Sequence, residues 1–353
     1  MELGWSSSLQ QSFDQLSRPD LTPARVTTVL KDHYRVSAGN GERLARLSGR
    51  YSFAIATRSE LPAVGDWVAI DAVGASRAVV QTVLPRRSKI SRKIAGREVE
   101  EQVIAANVDT VFIVSALTQE FNTRRIERYL ALVWDSGALP VPILNKADLA
   151  NDIDAITSEL DSIAPGTPMH VISAMENSGL EALQCYLATG QTVAFVGSSG
   201  VGKSTIINRL LGREAQPTLP VREHDDRGRH STTTRELFLL PTGGMVIDTP
   251  GMRELQLWHS VHGLSGAFDD IEQIATGCRY RDCAHKSEPG CAVRRAVDAG
   301  LIEGGRLENF FKLEAEQAFL DRKLDVHAAL AAKARARKLC KDVRDVSRRK
   351  GRS

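Results

Sequence analysis

Aromatic residues are few in this chain, and long apolar runs are missing. Phenylalanine, tryptophan and tyrosine make up 5% of its 353 residues. No apolar stretch approaches the roughly 18 residues that a membrane-spanning helix needs. The first residues, Met1 to Ser6, contain neither the basic nor the apolar region of a secretory signal. These absences predict a cytoplasmic protein without a membrane partner, and the length predicts two or three domains.

Cysteine is also scarce, and three of the five cysteines lie close together. With one histidine they form the pattern Cys278-x4-Cys283-x-His285-x5-Cys291. Three thiolates and one imidazole fill the four positions of a closed, structural zinc site. The alternative is chance spacing with disulfides, which the lack of a secretory signal disfavours. We therefore predict one structural zinc ion per chain, bound by these four residues.

A glycine-rich octapeptide is the most informative motif that is present. It reads Gly197-Ser198-Ser199-Gly200-Val201-Gly202-Lys203-Ser204 and fits the phosphate-binding pattern G-x-x-x-x-G-K-[ST]. An apolar run, Thr192 to Val196, precedes it, and a helix-like segment begins at Thr205. Backbone N–H groups and the helix N-terminus would surround a polyphosphate. Lys203 would reach the β- and γ-phosphates, and Ser204 would ligate Mg²⁺. The predicted phosphate-binding residues extend from Gly197 to Thr205.

A second motif selects the base. Asn145-Lys146-Ala147-Asp148 follows an apolar run and fits N-K-x-D. The Asp148 carboxylate would accept hydrogen bonds from guanine N1–H and the 2-amino group. Adenine would leave that carboxylate unpaired, at a cost of about 1–3 kcal/mol. Asn145 would hold the base edge, and the Lys146 stem would cover the ring. The predicted ligands are therefore GTP and GDP.

Two further elements complete a GTP-binding set. Ser173-Ala174 ends an apolar segment and would offer a backbone N–H to guanine O6. Asp248-Thr249-Pro250-Gly251 fits D-x-x-G, in which Asp248 would hold Mg²⁺ through water and Gly251 would contact the γ-phosphate. In ordinary GTPases the phosphate loop comes first and N-K-x-D comes late, whereas here the order is reversed. Binding requires only that the loops meet at the carboxyl ends of the strands, so the order predicts a circular permutation.

The glutamine that orients the attacking water in Ras-like enzymes is missing, because Met252 follows Gly251. Intrinsic hydrolysis should therefore be slow. His230 lies in a long polar stretch between Arg213 and Arg235, and its imidazole could orient water. A structural or partner-facing role for His230 is equally compatible with the sequence. Either Thr232 or Thr233 is expected to bind Mg²⁺ and the γ-phosphate, and the sequence leaves that choice open. The predicted catalytic residues are Lys203, His230, Thr232 and Thr233.

Basic residues are concentrated in two regions. One is a run near residue 90 that comprises Arg86, Arg87, Lys89, Arg92, Lys93 and Arg97. The other is the C-terminal end, where ten lysines and arginines stand against two aspartates between Lys333 and Ser353, although the whole chain carries a net charge of +3. Such concentration favours a polyanionic partner such as RNA. Solvated basic faces or a solubilising tail are the alternatives.

Short strands separated by turn residues fill the region before the basic run, including Ala24–Leu30, Tyr34–Ala38 and Asp66–Ile70. They favour an OB-fold, with an SH3-like barrel as the alternative. The predicted fold class is therefore multidomain α/β. Its parts are a flexible N-terminal segment (residues 1–23), an OB-fold β-barrel (24–105), a circularly permuted P-loop GTPase domain (106–265), a zinc-binding domain with helices (266–330) and a basic C-terminal tail (331–353).

Together these motifs resemble the RsgA (YjeQ) family of ribosome-biogenesis GTPases. The resemblance includes Gly228-Arg229-His230-Ser231-Thr232-Thr233, although the family often has threonine where this chain has Ser231. It implies binding to the maturing small ribosomal subunit through its rRNA, hydrolysis stimulated by that subunit, and release of the factor afterwards. It also implies that His230 replaces the missing glutamine.

Three classes of function follow from these observations. The first is a GTPase that assists late maturation of the small ribosomal subunit, acting as a monomer. The second is a nucleotide-gated rRNA-binding module whose hydrolysis is incidental. The third is a signalling or trafficking GTPase, which the cysteine–histidine cluster and the two basic regions disfavour.

Overall fold

The computed structural model of the chain describes residues 3–39, 41–93, 100–119, 121–213, 235–248 and 263–324. The N-terminal part comprises helix α1 (Ser7–Asp14), strands β1 (Thr22–Val29), β2 (Tyr34–Ser37) and β3 (Glu42–Leu47), helix α2 (Gly49–Ala54), and strands β4 (Trp67–Val73) and β5 (Arg77–Val83). The five strands pair in the order β1-β2-β3-β5-β4, and β4 pairs back with β1. The sheet therefore closes into a barrel.

Alternating side chains fill the barrel, because successive residues of a strand point to opposite faces. Its core contains Val26, Val36, Ala45, Val68 and Val80. The closed barrel confirms the predicted OB-like architecture.

The N-terminal segment, for which the sequence predicts flexibility, contains α1. The Ser6 side chain caps this helix by accepting a hydrogen bond from the backbone N–H of Leu9. Leu9 packs in a small cluster with Trp67 of β4 and Leu84. Trp5 adds an edge-to-face contact with Trp67 at 4.6 Å between ring centroids. These apolar contacts fix the helix on the barrel.

The central part is a mostly parallel sheet with helices between its strands. Its elements are the hairpin β6 (Lys89–Lys93) and β7 (Glu101–Ala106), then β8 (Thr110–Ala116), α3 (Thr123–Ser136), β9 (Leu139–Asn145), α4 (Ile153–Ile163), β10 (His170–Val171), β11 (Thr192–Val196), α5 (Lys203–Leu211), β12 (Glu236–Leu239) and β13 (Met245–Asp248). The strand order is β10-β9-β8-β11-β13-β12, and only β12 is antiparallel to its neighbour within this set. Strand β11 is buried along its whole length, as expected for a central parallel strand.

Strand β12 and the side chain of Arg25 both help to join the barrel to the central sheet. Strand β12 pairs with β1 at Glu236 and Thr28, which makes the sheet continuous across the junction. Beside it, the fully buried Arg25 donates to Thr192 Oγ1 (2.9 Å) and to the carbonyl oxygens of Asn107 (3.1 Å) and Gly65 (3.2 Å). Burial lowers the pKa of Arg25 to about 10. Because it bonds Gly65 on the barrel side and Asn107 and Thr192 on the sheet side, Arg25 fastens the barrel to the start of the central sheet.

Four helices make up the described C-terminal part: α6 (Gly263–Ala267), α7 (Asp269–Ala275), α8 (Ala292–Asp298) and α9, which spans residues 304–324. They pack against α3 of the central part. Glu127 of α3 is fully buried and accepts hydrogen bonds from Arg306 (2.8 Å) and Asn309 (2.5 Å). No helix within the described ranges has the length and apolar character needed to cross a membrane.

Candidate nucleotide and metal sites

The glycine-rich loop lies where the sequence predicts, between β11 and α5. At two of its glycine positions, neighbouring atoms lie too close to leave room for a side chain. Gly197 has φ of 142°, and a Cβ there would lie 2.2 Å from the Val114 carbonyl oxygen. Gly202 has φ of 100°, and a Cβ there would lie 2.2 Å from Nδ2 of Asn145. A larger residue at either position would open the loop, because L side chains rarely adopt such φ values.

Asn145 connects three loops at the carboxyl ends of the strands. It is the buried last residue of β9, and its Nδ2 donates to the Val201 carbonyl oxygen at 2.8 Å. Its Oδ1 accepts from the Ala174 backbone N–H at 3.0 Å. One amide therefore fixes the N-K-x-D segment, the phosphate-type loop and the Ser173-Ala174 segment relative to one another.

Two of the predicted guanine-recognition residues, Ser173 and Asp148, contact each other. The Ser173 hydroxyl donates to Asp148 Oδ1 at 2.5 Å, and Asp148 remains exposed to solvent. Lys146 adopts a left-handed conformation, with φ of 66°. Asp148 is thus held from one side while its carboxylate stays accessible to a base.

Lys203 and Ser204 begin helix α5, and Thr205 follows in its first turn. The Lys203 ammonium donates to the carbonyl oxygens of Gly197 (2.8 Å) and Ser198 (2.6 Å). Ser199 and Gly200 form the exposed tip of the loop. Asp248 ends β13, which lies beside β11 in the sheet, and its side chain is buried. These four predicted elements therefore meet at one edge of the sheet.

Four predicted site residues lie outside the described residues: His230, Thr232, Thr233 and Gly251. The structure adds two arginines that the sequence reasoning missed. Arg209 of α5 donates to the carbonyl oxygens of Ala174 and Met175, both at 3.1 Å. Arg125 of α3 donates to Ser198 Oγ at 2.8 Å. A lone arginine in a helical segment carries no motif, so no sequence signal distinguishes either residue.

The cysteine–histidine cluster is assembled as the spacing predicts. The ligand atoms of Cys278, Cys283, His285 and Cys291 all lie within 4.8 Å of one another. The Cys278 and Cys291 sulfurs are 3.9 Å apart, and they lie 3.6 and 3.5 Å from His285 Nδ1. A tetrahedral ion with bonds of about 2.3 Å to sulfur and about 2.0 Å to nitrogen would give edges of about 3.8 and 3.5 Å. The donor set and its dimensions therefore fit a closed metal site.

Backbone N–H groups orient two of these sulfurs. The Cys278 sulfur accepts from Ala292 N at 3.3 Å, and the Cys291 sulfur accepts from Arg294 N at 3.4 Å at the start of α8. Such contacts outside the ligand shell hold thiolates in place for a metal.

The sheet, its loops and their chain order define a circularly permuted P-loop GTPase with an OB-like barrel. A protein-family model described as RsgA GTPase matches residues 83–258. The small ribosomal subunit biogenesis GTPase RsgA 2 of Lactiplantibacillus plantarum is 46% identical over 84% of this chain and 83% of that protein. The small ribosomal subunit biogenesis GTPase RsgA of Opitutus terrae is 43% identical over 99% of this chain and 98% of that protein. The structure of YjeQ from Thermotoga maritima matches with a TM-score of 0.62 and 27% identity, over 84% of this chain and 99% of that one.

The chain belongs to the RsgA GTPase family and is a GTP hydrolase. This confirms the predicted family, fold class and enzyme class. GTPases of this kind use Mg²⁺ with the nucleotide, and the Cys278 cluster has the chemistry to hold a metal ion.

Proposed function

We propose that the chain binds GTP across the loops that Asn145 joins and hydrolyses it while bound to the maturing small ribosomal subunit. The observation that carries this proposal is the pair of Asn145 hydrogen bonds, because they place the base-reading and phosphate-binding segments side by side. Asp148, Ser173 and Ala174 would then read guanine. The loop from Gly197 to Thr205 would hold the phosphates, with Lys203 on the β- and γ-oxygens.

Magnesium would be held by Ser204 directly and by Asp248 through water, as in other P-loop GTPases. One of Thr232 and Thr233 would join them when GTP is present, and Gly251 would contact the γ-phosphate. His230 would orient the attacking water in place of the glutamine that Met252 replaces. The ion in the Cys278 cluster would be zinc, since three sulfurs and one nitrogen suit a borderline-soft ion in tetrahedral geometry.

The proposed partner follows from the relatives, which are named small ribosomal subunit biogenesis GTPases. Binding to the subunit, stimulation of hydrolysis and release of the factor after hydrolysis are our proposals for this chain. We also propose that the protein acts in the cytoplasm as a monomer, with the predicted order of barrel, GTPase domain, zinc-binding domain and basic tail.

The basic run near residue 90 contributes less to RNA binding than the sequence suggests. Arg86 is half-buried and makes a two-pronged ion pair with Asp66, with contacts of 2.8 and 2.7 Å. Arg87 pairs with Asp109 at 3.0 Å, and Lys89 pairs with Glu101 at 2.7 Å. Arg86 is turned into the fold and is a poor candidate for phosphate contacts, whereas the pairs of Arg87 and Lys89 lie at the surface and are weak.

The outer face of the barrel is a better candidate. Arg35 of β2 lies beside Leu44 of β3, which lies beside Arg77 of β5, and all three side chains are exposed. Arg46 is exposed on the same face two residues further along β3. Basic side chains interleaved with apolar surface suit an RNA backbone and its bases. We propose that rRNA contacts this face.

Steady-state GTP hydrolysis tests the proposal. Rates would be measured for the protein alone, with purified small ribosomal subunits, and with large subunits as the control. We expect a slow intrinsic rate and strong, selective stimulation by small subunits. A rate that neither subunit changes would contradict the proposal. It would favour the nucleotide-gated rRNA-binding module, which is compatible with Met252 standing where Ras-like enzymes have the glutamine that orients water.

A further inference from the structure

Arg125 reaches the phosphate loop from a neighbouring helix. Its Nη1 donates to Ser198 Oγ at 2.8 Å, while the Ser198 carbonyl oxygen accepts from Lys203 Nζ at 2.6 Å. Ser198 therefore stands between two cations, one on its side chain and one on its backbone. Within the described ranges, no carboxylate forms an ion pair with Arg125. Among the described residues, its side chain forms one hydrogen bond, the one to Ser198.

The helix that carries Arg125 begins at a defined point. Asn122 caps α3 by accepting a hydrogen bond from the Arg125 backbone N–H at 3.1 Å. This cap places Arg125 in the first turn, beside the loop. One turn later, burial raises the pKa of Tyr129, and the positive charge of Arg125 opposes that rise.

Helix α3 is also fastened to the C-terminal helices. Buried Glu127 accepts from Arg306 at 2.8 Å and from Asn309 at 2.5 Å. Arg128 forms a two-pronged pair with Glu316, at 3.0 and 2.8 Å. These contacts hold α3 as a rigid support, which is what a residue needs if it is to position a loop accurately.

We propose that Arg125 is a positioning residue for GTP hydrolysis, which acts through Ser198 to hold the phosphate loop in the geometry that the transition state requires. The proposal rests on the assignment of Gly197–Ser204 as the phosphate loop. Charge develops on the transferring phosphoryl oxygens during the reaction, so small displacements of Lys203 affect turnover strongly. Guanine contacts at Asp148 stabilise the bound substrate and the transition state to the same extent, so they should not depend on Arg125.

The test combines single and double substitutions with single-turnover and steady-state kinetics. Arg125→Gln is expected to lower kcat about fivefold while KM for GTP and affinity for GDP change less than twofold. Arg125→Lys, which keeps one charged donor, should recover part of the rate. Ser198→Ala should lower kcat by a similar factor. Because both residues belong to one contact, the double variant should be no more than about twofold slower than either single variant.

Arg50→Gln is the control, because Arg50 is an exposed arginine on helix α2 of the barrel and takes no part in holding α3 or the loop. It should keep the wild-type kcat, and Arg125→Gln and Ser198→Ala should keep the wild-type unfolding midpoint. Three results would overturn the proposal: an unchanged kcat in Arg125→Gln, an equal loss in Arg50→Gln, or fully additive losses in the double variant. The last would mean that Arg125 touches the phosphates directly.

The same preparations separate this proposal from the proposed function. Labelled GTP binding by the wild-type protein tests the phosphate-loop assignment itself. If the wild type binds no GTP, the proposed function fails. If it binds and hydrolyses GTP while Arg125→Gln behaves identically, only the role of Arg125 is overturned.

Discussion

The side-chain amide of Asn145 donates a hydrogen bond to the main-chain carbonyl oxygen of Val201 at 2.8 Å, across a separation of 56 residues in sequence. Its oxygen simultaneously accepts from Ala174 N. The residue that begins the base-reading motif therefore also fixes the phosphate loop. In this permuted chain, the two hydrogen bonds of Asn145 hold together segments that are far apart in sequence.

Replacing Asn145 with Ala should uncouple these segments. The change would leave two backbone groups without partners, each worth about 1–3 kcal/mol when buried. We expect affinity for both GDP and GTP to fall at least tenfold. Fluorescence titration with a labelled guanine nucleotide measures this effect. Asn151→Ala is the control, because Asn151 is exposed just beyond the motif. Equal affinities for the two variants would refute the role of Asn145.

Metal content should depend on the four-residue cluster alone. Cys283→Ser removes one of the four ligands, so the zinc bound per chain should fall well below one and the melting temperature should drop. Elemental analysis of purified protein, together with thermal unfolding, measures both effects. Cys185→Ser is the matched control, since Cys185 is exposed and lies outside the cluster. If Cys283→Ser retained a full zinc complement, the site would lie elsewhere.

The role of His230 can be tested against its conservative replacement. His230→Ala should reduce hydrolysis stimulated by small subunits far more than it reduces GTP affinity, because the imidazole is expected to orient water only during the reaction. His230→Gln should retain more activity, since an amide can also hydrogen-bond water. Stimulated rates that are the same for wild type and His230→Ala would exclude this role.

Arg25 should contribute strongly to stability. Arg25→Met would remove the hydrogen bonds donated to the Leu3 and Asn107 carbonyl oxygens and to Thr192 Oγ1. The expected loss is about 3–5 kcal/mol in the free energy of unfolding. Urea unfolding measures it. Arg18→Met is the control: Arg18 forms only an exposed ion pair with Asp20, so its unfolding midpoint should match the wild type. Similar midpoints for both variants would mean that Arg25 does not hold the junction.

The phosphate loop and the cysteine–histidine cluster could be predicted because their chemistry depends on residue types at fixed local spacing. The same holds for the first barrel strand, which was expected over Ala24–Leu30 and is observed over Thr22–Val29. Features that depend on long-range contacts could not be predicted. Strand β12 joins the barrel through a single pairing of Glu236 with Thr28, and no pattern in either segment specifies the other.

Two other differences also come from contacts between residues that are distant in sequence. Helix α1 is short, polar and weakly amphipathic by sequence, and it is held by Leu9 and Trp5 against Trp67, a contact between distant segments. Arg86 reads as part of a basic run, yet it turns inward because Asp66 is fully buried and requires a cation. Charge counting cannot distinguish an arginine that pairs internally from one that faces solvent.

The central claim is that these permuted loops form one guanine-specific site, and Asp148→Asn tests it most directly. Xanthine carries a carbonyl where guanine has its 2-amino group, so an asparagine amide would pair with xanthine instead. We expect affinity for GTP to fall at least about a hundredfold and affinity for xanthosine triphosphate to rise above it. Asp152→Asn, which keeps the cap of α4, should behave like the wild type. Unchanged GTP affinity in Asp148→Asn, with no gain for the xanthine nucleotide, would contradict the account.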